Sequence, residues 1–163
     1  MTLCEQINDV IELLFVPESR AEFTVLPQVM ATELKPGEFT IKEEGEVSLI
    51  RFALSLSSGF ASADFQLEMD NSPEVKVVSE VTKAGIQKKC TIKLVCSDYS
   101  EQVDIIISNL ERAPHHVVMY RQDGRKYLVR YIPYAYSCIS EDNSDTKTIS
   151  FELTNINGMQ KLS

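Results

Sequence analysis

Glycine is scarce in this chain, six residues among 163, and neither G-x-x-x-x-G-K-[ST] nor G-x-G-x-x-G occurs, which removes the usual phosphate-cradling loops. Histidine is scarcer still. The two present, His115 and His116, are adjacent, so on a strand they point to opposite faces and cannot ligate one metal or relay one proton. No partner constellation accompanies either one, and a turn or surface position after Pro114 is expected for both. The four cysteines, at 4, 90, 96 and 138, include no close pair of the zinc-site kind. Cys90 and Cys96 fall on one face of a single expected strand, ~20 Å apart, and cannot bridge there. Reduced thiols serving as small apolar side chains are expected.

Long apolar runs are missing too. None approaches the ~18 residues of a membrane span. The opening MTLCEQINDVIELLF has no basic n-region and mixes Glu5, Asp9 and Glu12 into its apolar residues, unlike a secretory signal, so a cytoplasmic protein is expected. Basic residues are the minority, 16 against 24 acidic, for a net charge of −8. Direct nucleic-acid binding, which needs a basic surface, is not expected. Ser57-Ser58-Gly59 lacks the G-x-S-x-G frame of an exposed nucleophile. The acidic cluster Glu141, Asp142 and Asp145 lacks the glycine and terminal glutamate of a calcium loop, and reads as a solvated turn. No cofactor, metal or small-molecule ligand is indicated.

What the chain does have is alternation. Ile50, Phe52, Leu54 and Leu56 share one face; Ala61, Ala63, Phe65, Leu67 and Met69 share another. Val75, Val77 and Val81 follow, then Cys90, Ile92, Leu94 and Cys96, then Val103, Ile105 and Ile107, and finally Ile149, Phe151 and Leu153. Ahead of these, Thr2 and Glu5 match a capping box, and Leu3, Ile7, Val10, Ile11 and Leu14 recur at helical spacing until Pro17. The expected fold is therefore mainly β: an antiparallel β-sandwich of eight or nine strands over 18–163, preceded by an amphipathic helix over 1–17.

Residues 111–137 gather both histidines, five of the six tyrosines and five basic residues. Asp123-Gly124 signals a hairpin. A two-residue loop would set Tyr120 opposite Tyr127, and a three-residue loop shifts the register by one. Tyr120, Arg121, Arg125, Lys126, Tyr127 and Arg130 are the candidates for a contact surface there, as are Leu3, Ile7, Val10 and Leu14 on the helix. These features suggest a non-enzymatic structural protein that self-associates or docks on other subunits through its sheet edges, its N-terminal helix and the 117–132 hairpin. Small acidic β-sandwiches with a projecting hairpin build bacteriophage tail tubes and rings, so a virion component fits this plan by analogy of architecture. Two alternatives stand beside it: an acidic adaptor or inhibitor of a basic partner, and an enzyme using a scattered histidine–carboxylate site.

Overall fold

The computed structural model describes residues 2–26, 29–57, 59, 61–83, 85–97, 101–131, 136–142 and 146–163. The protein is mainly β. Its strands are β1 (Thr2–Ile7), β2 (Val10–Pro17), β3 (Ala21–Phe23), β4 (Glu33–Leu34), β5 (Phe39–Ile41), β6 (Ile50–Ala53), β7 (Phe65–Glu68), β8 (Glu74–Thr82) and β9 (Gly85–Cys96). After α1 (Glu101–Arg112) come β10 (His115–Arg121), β11 (Lys126–Val129), β12 (Tyr136–Asp142), β13 (Lys147–Asn155) and β14 (Met159–Leu162). These fourteen strands exceed the eight or nine expected, because several are only two to four residues long. No helix among the described residues is long and apolar enough to cross a membrane.

The expected N-terminal helix is two strands. Asp9 adopts a left-handed φ of 66°, a conformation aspartate tolerates, and there the chain leaves one sheet for another. β1 edges a five-stranded sheet ordered β1-β8-β9-β13-β12. β2 sits inside a seven-stranded sheet ordered β4-β14-β11-β10-β2-β6-β7, between β10 and β6. With both faces covered, β2 is buried on both sides, and its run Val10–Val16, apolar but for Glu12, mimics a helical stripe. The seven-stranded sheet is also mixed, since β6 pairs with β7, and β14 with β4, in parallel, while the five-stranded sheet is antiparallel throughout.

The opposite correction applies to QVDIIISNL, which is helical. Val103, Ile106, Ile107 and Leu110 are buried at helix spacing while Ile105 faces out. In β9 and β13 the period-two reading holds: Cys90, Ile92, Leu94 and Cys96 of β9 and Ile149, Phe151 and Leu153 of β13 all enter the main core. Two other rows do not keep to one face: Leu56 is exposed where Ile50 and Phe52 are buried, and Ala61 and Ala63 pack on a different cluster from Phe65, Leu67 and Met69. That core draws on both sheets and α1, and Phe15 of β2 meets Phe151 of β13 with ring centroids 4.5 Å apart. Cys90 and Cys96 are buried free thiols, with Cys90 pushed up to about 12 by burial. Val81 is exposed rather than inward, at the turn end of the β8–β9 pairing. A second apolar cluster lies on the outer face of the seven-stranded sheet, where Leu14, Val16, Val118, Tyr120 and Leu128 are covered by residues of the 21–49 excursion.

Candidate functional site

Both histidines are buried, contrary to the surface position expected, because β10 lies in the interior of its sheet. His115 donates from Nδ1 to the Ala113 carbonyl at 2.7 Å, and burial pushes its pKa down to about 4. His116 takes the outer face. Its Nε2 meets the Glu18 carboxylate and its Nδ1 accepts the Tyr131 amide at 3.3 Å, partners that assign the proton to Nε2. Tyr131 stacks on the ring at 4.5 Å, and Phe23 meets it edge-on at 4.9 Å. Burial lowers the His116 pKa more than Glu18 raises it, while the His116 hydrogen bond holds Glu18 below the ordinary carboxylate range. A neutral imidazole donating to an ionised carboxylate satisfies both directions. With both nitrogens occupied, His116 has no lone pair to offer a substrate.

The same outer face holds two ionic networks. Glu12 and Arg51, 1% and 2% exposed, are joined by Arg51 Nε to Glu12 Oε1 at 2.8 Å. Glu12 Oε2 accepts the Ala61 amide at 2.8 Å, and Arg51 Nη1 donates to Gln66. Gly59 lies directly over this pair; a Cβ there would overlap Arg51 Nη2 and Glu12 Oε1. Buried Arg20 donates to Asp64 at 2.5 Å and to the carbonyls of Lys42 and Glu43. Clefts of about 480 and 370 Å³ open on this face, and Tyr120 and Ile41 line both.

The hairpin adopts the three-residue loop: Tyr120 faces Lys126, Met119 faces Tyr127, and Gly124 takes a φ of 89°. It does not project, since β2 flanks β10 and β14 flanks β11. Its basic residues are dispersed. Arg121 lies 3.8 Å from Asp9, Arg125 is paired with Asp123 at 2.6 Å, and Arg130 covers the Phe23 ring at 3.6 Å. Lys126 is exposed, and Tyr127 is half-buried against the main core. Of the N-terminal candidates, Ile7 and Val10 join the main core, Leu14 joins the outer cluster, and the Leu3 side chain falls outside the described set. They share no stripe. Glu141 and Asp142 belong to β12 rather than a loop, and Asp145 lies outside the described residues.

Sequence reasoning missed Glu12, Arg51, Arg20 and Asp64. The available signal was a charge of each sign inside an apolar run, VIELLFV and LIRFAL, where a buried ion needs a partner. No group of metal-ligating residues occurs among the described residues. No family model, curated protein or solved structure matches the chain.

Proposed function

We propose that this chain is a non-enzymatic β-sandwich that serves as an assembly protein, associating with its own copies or with other subunits. The observation that carries this reading is the β8–β9 hairpin. β13 pairs with β9 only from Lys88, so residues 85–87 of β9 extend past β13, and among the described residues β1 pairs with β8 as far as Glu80. At that tip Val81 and Ile86 form a cross-strand pair, 69% and 51% exposed. An apolar pair held out on a ribbon is the kind of surface that association covers. The core shared between the sheets supports the sandwich, and the engagement of His116, Glu12 and Arg20 in internal bonds supports structural roles for them. A ring or tube subunit of a virion is one form of this proposal, by analogy of architecture alone.

Light scattering and native mass measurement over a concentration series test it. Concentration-dependent oligomers are expected, and Val81→Asp should shift them toward monomer without lowering Tm. Monomer at every concentration would end the self-association reading. The net charge of −8 favours a second reading, an acidic adaptor for a basic protein. That reading requires a heterologous complex that weakens steeply as salt rises.

A further inference from the structure

We propose that the β8–β9 tip of one copy docks in the 480 Å³ cleft of the next, so that copies join head to tail. The inference rests on the self-association proposed above and names the two surfaces that meet. Charge is what pairs them. Residues 74–96 hold five lysines against two glutamates, whereas the rest of the chain holds 11 basic residues against 22 acidic. The tip carries the apolar pair Val81 and Ile86, with exposed Lys83 and half-buried Lys88 beside it. Neither of these lysines forms an ion pair among the described residues, while Lys89 is taken up by Glu152 at 2.9 Å. Glu80, opposite Gln87, points to the other face of the ribbon. Thr82 donates from Oγ1 to the Gly85 carbonyl at 2.9 Å, which ties the end of the ribbon and holds the pair ready for contact.

The cleft offers the complement. Leu14, Ile41, Leu49, Ala63 and Tyr120 give it an apolar floor on the outer face of the seven-stranded sheet. Its two cations are already matched: buried Arg20 by Asp64 at 2.5 Å, and Lys42 by Glu22 at 3.6 Å. Arg20 also donates to the Lys42 and Glu43 carbonyls, and its stem packs against Gly45, which fixes residues 42–46 at the rim. That places Glu43 in the lining with Glu44 and Glu46 following it, all three exposed and none ion-paired among the described residues. An apolar floor with an acidic rim matches an apolar pair flanked by lysines. The floor supplies affinity, and the charges select the face. Tip and cleft belong to different sheets, so a copy can engage neighbours through both at once, and the contact propagates into a ring or filament.

The test mixes two variants. Val81→Asp spoils the tip and leaves the cleft, while Ser62→Trp fills the cleft from an exposed position and leaves the tip. In sedimentation equilibrium each alone should self-associate at least about tenfold more weakly than wild type, and both should keep its Tm. Their equimolar mixture should form a complex of one copy of each that grows no further, since one intact tip meets one intact cleft. Glu43→Lys with Glu44→Lys should weaken self-association about tenfold, and adding Lys83→Glu and Lys88→Glu to the same chain should recover the loss. Self-association undiminished by Ser62→Trp, or a mixture that stays monomeric, would overturn the docking while the wild-type oligomer still stood. Monomeric wild type at every concentration would remove the reading beneath it as well.

Discussion

Glu12 and Arg51 illustrate how a buried charge constrains its surroundings. Removing one partner strands the other in a site closed to water, so Glu12→Ala is expected to cost about 3–5 kcal/mol in urea unfolding. Replacing both, as Glu12→Leu with Arg51→Met, should cost much less, since Gln66 is exposed and can turn to solvent. Gly59→Ala forces a methyl into the same pair, and its penalty should shrink in the double-replacement background. Equal penalties in both backgrounds would refute the proposed overlap. His115 adds a dependence on pH. The unfolded chain takes up a proton near the ordinary value of 6.5, whereas folded His115 refuses it until about pH 4. Its contribution is therefore complete above pH 6.5 and lost as pH falls toward 4, by about 3 kcal/mol. His116, also lowered, acts in the same direction. Urea midpoints at pH 7 and 4.5 check this; His115→Asn should flatten the difference, and equal wild-type midpoints would contradict it.

Among the elements, α1 gives the sharpest test of which residues face inward. Ile106→Ala or Leu110→Ala should each cost about 2–5 kcal/mol, while Ile105→Lys should stay within about 0.5 kcal/mol of wild type. A strand reading predicts the reverse for Ile105, and unfolding measurements on the three variants distinguish them. β9 and β13 were legible because each has one face in the core and one polar face, which preserves the alternation. β2 was not, because burial on both sides erases its period and the Thr2–Glu5 spacing happens to imitate a cap. α1 was missed because Val103, Ile105 and Ile107 fit a period of two as well as Val103, Ile106, Ile107 and Leu110 fit the helix. The cleft was visible only in pieces. Its acidic rim, Glu43-Glu44-Gly45-Glu46, and the lysines of the tip are evident in the sequence, but the contacts that carry the rim over Leu14 and Tyr120 are not local.

At the scale of the whole molecule, salt separates the two proposed modes of association. Oligomers built on Val81 and Ile86 should persist as ionic strength rises, because apolar contact is not screened, and the repulsion between acidic chains is screened together with the attraction of tip to rim. Sedimentation at low and high salt would show this, and dissociation at high salt would favour charge-driven docking instead. The position of β2 has a kinetic consequence as well. Its partners are residues 50–53 on one side and 115–121 on the other, so the middle of the sheet cannot close until late segments of the chain are available. During synthesis the strand Val10–Pro17 must wait, its apolar side chains unprotected, for β10 to emerge from the ribosome.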